Sequence, residues 1–304
     1  MGTKDEDWVE HLFVASTHDY LMIFTRDGQC YWLKVWEIPQ SGRHSRGKPI
    51  VNLLTMDGEE EIAAVVPVRE FSEDRYLLFC TRRGKVKKTA LSAYGNVRSV
   101  GLIAARVRDG DELIDVQITN GDNEVILATR KGQAIRFHEG DVRPMGRATE
   151  GVRGVDLAGG DYVVGMVVVQ RDDATLLVVT EEGMGKRSQI DAYRLQGRGG
   201  KGVINVRTSQ KTGEVVAIKS VVPTDQLMII TRNGVVNRQR VDEIRVIGRA
   251  TQGVRLVNLD EGDEVVDVAR IIPDDEENGE PVDEEAGADV ESAGEAVSEE
   301  AAES

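Results

Sequence analysis

Gln196-Gly197-Arg198-Gly199-Gly200-Lys201-Gly202 puts four glycines and two cations into seven residues, a composition that can bring backbone amides and positive charge close to phosphate. Its GRGGKG core also fits the loose dinucleotide pattern G-x-G-x-x-G, which requires a preceding strand and a following helix. Here Val203-Ile204-Asn205-Val206 follows, a β-branched run that reads as a strand and argues against a bound dinucleotide. A second glycine-rich stretch, GRHSRGKP within Ser41–Asn52, approaches the P-loop pattern, but Pro49 stands where a Mg²⁺-binding hydroxyl is needed and a strand follows again. The four histidines, His11, His18, His44 and His138, lack metal-ligand spacing. No Ser/His/Asp order, nucleophile elbow or paired-carboxylate site stands out. The expectation is a domain with no catalytic residue, no metal site and no cofactor.

The elements that would position these loops come from an internal repeat. TRDGQ (25–29), TRRGK (81–85), TRKGQ (129–133), TEEGM (180–184) and TRNGV (231–235) each follow an aliphatic run such as Leu21-Met22-Ile23-Phe24. Asp27-Gly28 and Asn233-Gly234 signal β-hairpins with type I′ turns. A second glycine motif follows each hairpin, led by Gly42, Gly95, Gly146, Gly197 and Gly248. An acidic glycine turn and another strand then complete each unit. This predicts an all-β, propeller-like array of four-stranded blades, each about 50 residues long. The units fall near 8–60, 61–112, 113–162, 163–214 and 215–264, with a closing strand at 265–272. Trp8–Phe13 reads as a strand before the first hairpin. Short helical turns are expected at 35–38, 90–94, 191–195 and 242–244.

Composition sets further bounds. Aromatics are only 5% of the 304 residues, so Val, Ile and Leu must fill the core. The two cysteines, Cys30 and Cys80, lie in apolar runs and suggest buried thiols in a reducing, cytoplasmic setting. No apolar run is long enough to span a membrane. The net charge of −15 is uneven: 14 of the 53 acids lie beyond residue 273, where there is no Lys or Arg, leaving 39 acids against 38 bases in residues 1–273. Residues 274–304 are expected to be a disordered acidic tail. At roughly 30 Å r.m.s. span, such a tail would outreach the radius of gyration of about 18 Å expected for the preceding domain.

The bases recur in register. Around the returning hairpin strands they are Lys85, Lys87, Lys88, Lys131, Arg136, Lys186, Arg187, Arg238 and Arg240. In the second motif they are Arg43, Arg46, Lys48, Arg98, Arg147, Arg153, Arg198, Lys201, Arg249 and Arg255. Charged sheet edges that discourage aggregation would give part of this pattern. Repetition around a propeller would instead set glycine loops and guanidinium groups along a rim, an arrangement suited to a continuous phosphate backbone.

The stretches VASTHDYLMIFTRDG, SGRHSRGKPIVNLL, TRRGKVKKT, VRPMGRATEGVRGVDL, GKRSQIDAY and VIGRATQGVRLVNL resemble the C-terminal domain of the bacterial DNA gyrase A subunit family over nearly the whole chain. The resemblance implies a six-bladed β-pinwheel, of which five repeats are visible, that binds, bends and wraps duplex DNA on its rim. It further implies a monomeric, non-catalytic domain of a nucleoid-associated topoisomerase. ATP and Mg²⁺ would act elsewhere in the holoenzyme, whose strand-passage core and ATPase B subunit would be partners. A topoisomerase IV A-type domain, or a propeller serving protein–protein contacts, are the alternatives. The family's box resembles QRRGGKG; Gln196, Arg198, Gly199, Gly200, Lys201 and Gly202 match it, while Gly197 replaces its first arginine and the stretch lies in the fourth repeat. It is therefore read as a box-like relative, one more segment of the DNA-bearing rim.

Overall fold

The computed structural model describes residues 15–40, 53–54, 56, 60–96 and 100–271. The strand expected at Trp8–Phe13, the first glycine loop and the acidic tail lie outside them. The described residues form five antiparallel sheets in a β-propeller arrangement. The first contains the hairpin β1 (Tyr20–Thr25) and β2 (Gln29–Lys34), then β3 (Ile62–Val68). The second has β4 (Tyr76–Thr81) and β5 (Lys85–Ala90), with β6 (Leu102–Ile103) leaving for the first sheet and β7 (Leu113–Thr119) staying. β8 (Glu124–Thr129), β9 (Gln133–His138), β10 (Val152–Arg153) and β11 (Val163–Val169) repeat the pattern. So do β12 (Thr175–Thr180), β13 (Met184–Gln189), β14 (Val203–Ile204) and β15 (Val215–Val221). The last set is β16 (Gln226–Thr231), β17 (Val236–Arg240), β18 (Val254–Arg255) and β19 (Val265–Ile271).

Each two-residue strand crosses to the sheet before its own. The sheet orders are β3-β1-β2-β6, β7-β4-β5-β10, β11-β8-β9-β14, β15-β12-β13-β18 and β19-β16-β17. Sheets and sequence units therefore divide the chain differently. Units starting at 61, 113, 163 and 215 separate each hairpin from the inner strand that pairs with it.

Continuous apolar runs in the first hairpin strands follow from this stacking. Leu77 and Phe79 enter the core shared with the first sheet, whereas Leu78 and Cys80 enter the core shared with the third. Ile126 and Ala128 similarly face the fourth sheet, while Val125 and Leu127 face the second. The alternation of a strand is present, but both faces are dry, so polar residues are absent from either. Cys30 and Cys80 are buried free thiols, and burial pushes both well above the usual thiol range.

The hairpins differ from the expected two-residue turns. Three residues, Arg26–Gly28 in the first, connect the strands; Gly28 N donates to Thr25 O at 2.9 Å, and Gly28 has φ of 85°. This is the three-residue loop ending in a left-handed glycine. It also explains the threonine: Thr25 Oγ1 accepts from Gln29 N at 3.1 Å, and Thr81, Thr129 and Thr231 repeat the bond. The expected helical segments are single 3₁₀ turns at Val35–Glu37, Leu91–Tyr94, Ile190–Ala192 and Val241–Glu243; a further one at Glu139–Asp141 lacks any apolar period in sequence.

Gly151 turns the chain onto its neighbour with φ of 85°, and a methyl there would collide with the Val86 carbonyl. Gly151→Ala is expected to lower stability by about 1–3 kcal/mol, read by urea denaturation. Gly146→Ala, with open space around it and no positive φ, is expected to remain within about 0.5 kcal/mol of the original.

Candidate nucleic-acid interface

The cations fall into three environments. At the hairpin turns they meet acids. Arg26 pairs with Glu61 and Glu112, Arg82 with Glu112, Arg130 with Glu181 and Glu214, and Arg232 with Glu264. The exceptional TEEG turn of the fourth repeat fits this scheme, because Glu181 takes the arginine's position and pairs with Arg130 of the previous repeat. The carboxylates of the acidic turns also hold backbone amides. Asp111 Oδ1 accepts from Arg83 N and Glu112 N, Asp161 Oδ1 from Lys131 N and Tyr162 N, and Asp263 Oδ1 from Asn233 N and Glu264 N.

At the joints between sheets the cations meet carbonyl oxygens. Lys88 Nζ donates to Glu139 O at 2.9 Å and lies 3.6 Å from the buried Glu139 carboxylate; Arg136 Nη1 donates to Ile190 O and Tyr193 O at 3.0 Å each while the Glu124 carboxylate pairs with it at 2.5 Å; Arg187 Nε donates to Ile244 O at 2.8 Å. Lys87 Nζ donates to Ala104 O and Arg147 O; Lys186 Nζ donates to Ser188 Oγ, Gly248 O and Arg249 O. Lys87, Lys88, Lys186 and Arg187 are thus buried, at 2%, 4%, 0% and 6% exposure. Sequence alone groups them with surface cations, but they hold the next repeat's loop from beneath. Burial, with the Arg147 charge nearby, pushes Lys87 down to about 7; burial and Arg249 push Lys186 down to about 8.

The loops form the third environment. Arg198 Nε donates to Asp141 O at 2.9 Å and its Nη1 to Arg153 O at 3.0 Å. One repeat later, Arg249 Nε donates to Ala192 O at 3.0 Å and its Nη1 to Ile204 O at 2.7 Å. Two carbonyls of the preceding repeat orient each guanidinium, occupy part of its five-donor fork and leave its charge uncompensated. Neither arginine, nor Arg147, forms an ion pair among the described residues. Gly199 and Gly202 take φ of 80° and 77°, and Gly199 N donates to Gly154 O at 2.6 Å. Gly200 O accepts from Asp156 N, Gln196 N donates to Arg136 O, and Lys201 is exposed.

The remaining sequence candidates are dispersed. Lys85 is half-buried; Lys131 is exposed and its Nζ donates to Gly159 O at 2.9 Å. Arg238 and Arg240 are exposed on β17, where Arg240 pairs with Asp242 at 2.6 Å. Arg43, Arg46, Lys48 and Arg98 lie outside the described residues. Sequence reasoning passed over Arg143, Arg194 and Arg245, all exposed and each three residues before a loop glycine. Their recurrence was readable in VRPMG, YRLQG and RVIG. Among the described residues, no cluster could hold a metal ion, and no helix is long and apolar enough to cross a membrane.

Comparison with known proteins gives a consistent picture. The family model for the DNA gyrase C-terminal domain, beta-propeller, matches residues 19–69, 75–120, 123–170, 174–221 and 225–272, one match per sheet. The DNA gyrase A subunit of Salmonella typhimurium is 44% identical over 282 residues, covering 93% of this chain and 31% of that protein. Its Chlamydia muridarum counterpart is 45% identical over 271 residues, covering 88% of this chain and 32% of its own length. The chain thus spans about a third of these relatives. Among solved structures, a DNA topoisomerase IV C-terminal domain superposes with a TM-score of 0.77 at 29% identity, covering 84% of this chain and 80% of that one. A DNA gyrase A C-terminal domain superposes with 0.74 at 28% identity, covering 84% of each.

The joint lysines generate a pH test. Lys87 falls from an ordinary 10.5 to about 7 in the folded chain, so between these values unfolding takes up a proton. Its neutral form supports folding fully above pH 10.5, and that contribution is lost as pH falls towards 7. The stability difference between the original chain and Lys87→Met is expected to rise with pH from 7 to 10, by at most about 1.4 kcal/mol per unit. Urea denaturation at several pH values measures it; a flat difference would contradict the assigned burial.

Proposed function

This chain belongs to the family of DNA gyrase C-terminal domains, and from that premise we propose that it is a non-catalytic domain that binds, bends and wraps duplex DNA around its rim. In the whole topoisomerase it gives the DNA crossing its hand, so that the enzyme introduces negative supercoils. Strand passage and ATP- and Mg²⁺-dependent chemistry belong to the other parts of the holoenzyme, the strand-passage core and the ATPase B subunit. Both act in the cytoplasm on nucleoid DNA. The observation that carries the reading is the recurring loop arginine, represented by Arg198 and Arg249, which backbone carbonyls orient without neutralising. Such a group offers a fixed positive charge with free donors to a phosphate, and little side-chain entropy is left to lose on binding.

Bending a 20–30 bp site by 40–90° costs on the order of 1–6 kcal/mol, which contacts distributed over several sheets can offset. A topoisomerase IV-type domain is the second reading, favoured by the TM-score of 0.77 to that structure. We assign the acidic segment 274–304 the role of a competing polyanion that limits wrapping.

Log K for long duplex DNA is expected to fall against log salt with a slope of roughly −4 to −9. The Arg147→Ala/Arg198→Ala/Arg249→Ala triple variant should flatten it by about 3. A salt-insensitive affinity would remove the wrapping model. Relaxed circles treated with a nicking–closing enzyme should retain constrained writhe, whose sign and amount separate the gyrase-type from the topoisomerase IV-type reading. Removing residues 274–304 should tighten DNA binding or increase the constrained writhe; no change in either would overturn the role given to the tail.

A further inference from the structure

Three exposed dyads stand at the same place in successive repeats: Arg143-Pro144, Arg194-Leu195 and Arg245-Val246. Each apolar member lies two residues before a loop glycine, Gly146, Gly197 or Gly248. Leu195 is 53% exposed and Val246 42%, and Pro144 is also exposed.

Their placement is rigid. Pro144, Leu195 and Val246 form parallel bridges to Lys88, Arg136 and Arg187, the joint cations of the preceding repeat. The next amide closes each bridge: Met145 N donates to Lys88 O at 2.8 Å, Gln196 N to Arg136 O at 3.0 Å and Ile247 N to Arg187 O at 2.9 Å. Single exposed aliphatic residues are ordinary on protein surfaces. Three of them at one register, each beside an exposed arginine and bridged to a joint cation that is buried (Lys88, Arg187) or half-buried (Arg136), are a patterned surface. None of the three arginines forms an ion pair among the described residues.

We propose that these dyads are minor-groove contact points for the wrapped duplex, one per repeat. The arginine enters the groove where bending narrows it, and Pro144, Leu195 or Val246 packs on the deoxyribose and base edges beside it. The proposal rests on the DNA-wrapping reading and adds to it a component that is not phosphate contact. A polyanion alone gives an apolar residue nothing to touch. A duplex curving around the rim turns its minor groove inward once per helical repeat, and there both arginine and an apolar wedge gain contacts. The partner chemistry is double-stranded DNA; an acidic protein would match the arginines but would offer no groove.

The test compares the full chain with Pro144→Ser/Leu195→Ser/Val246→Ser and with Arg143→Ala/Arg194→Ala/Arg245→Ala, after checking that both melt like the original. Affinity for long duplex DNA, its salt slope, and bending by end-to-end fluorescence transfer are measured on ordinary DNA and on DNA carrying diaminopurine for adenine. That replacement adds an amino group to the minor groove only.

The serine variant is expected to lose on the order of tenfold in affinity and to bend DNA less while keeping the original salt slope. The alanine variant should lose affinity as well. Diaminopurine should weaken the original chain several-fold, and the serine and alanine variants each by less, since each keeps only one of the two groove contacts. Unchanged affinity and bending in the serine variant, or indifference of the original chain to diaminopurine, would overturn the proposal with DNA wrapping intact. A flattened salt slope in the serine variant would overturn it too, since the apolar residues would then only be placing cations. Absence of salt-dependent binding by the original chain would instead defeat the wrapping reading beneath it.

Discussion

The loan of a two-residue strand from each repeat to the sheet before it is the constraint on which the rest of the molecule depends. Leu102–Ile103, Val152–Arg153, Val203–Ile204 and Val254–Arg255 close the outer edges of four hairpins. At each crossing the hairpin glycine presents its carbonyl to the incoming chain: Gly28 to Ala104 and Ala105, Gly84 to Gly154, Gly132 to Asn205 and Val206, Gly183 to Leu256 and Val257. A side chain on Gly28 or Gly132 would strike that chain. The fifth hairpin is the informative exception. No strand covers β17 among the described residues, and Gly234 has open space where a side chain would point. The same glycine signal in sequence therefore serves two structural situations.

The crossing also sorts the charges. A strand that leaves its own sheet carries its loop across the neighbour, and unmatched carbonyl oxygens from 3₁₀ turns and loop ends accumulate at the joint. Buried lysines and arginines answer them. At the hairpin turns Arg26, Arg82, Arg130 and Arg232 meet carboxylates. Exposed cations without an ion pair among the described residues include those on the glycine loops and just before them, beside others such as Arg69, Arg75, Arg83, Arg207 and Lys211. Few of the many bases are both held in place by backbone carbonyls and free of an ion pair among the described residues.

Much of the architecture was readable because it is local and repeated. The TRxG turn, the aliphatic run before it and the glycine loop after it recur at intervals near 50 residues, enough to give all-β sheets and their number. Strand ownership was not readable, since 62–68 follows its hairpin across a loop and nothing in its composition states which side it joins. Nor could sequence separate Lys85 from Lys87. They are two residues apart on one strand, yet Lys87 is buried because the carbonyls of Ala104 and Arg147 come to it from later in the chain. The candidate site was legible as a register of loops and illegible residue by residue. The local pattern marks the loop, while distant backbone decides which cation faces out.

Borrowing in one direction gives the array a polarity in time. During synthesis the hairpin of the first sheet exists long before Leu102–Ile103, which lies 68 residues beyond Lys34, leaves the ribosome. Each sheet must wait, with one edge bare, until the following repeat is made, so completion travels from the N-terminal side and always trails the growing chain by one repeat.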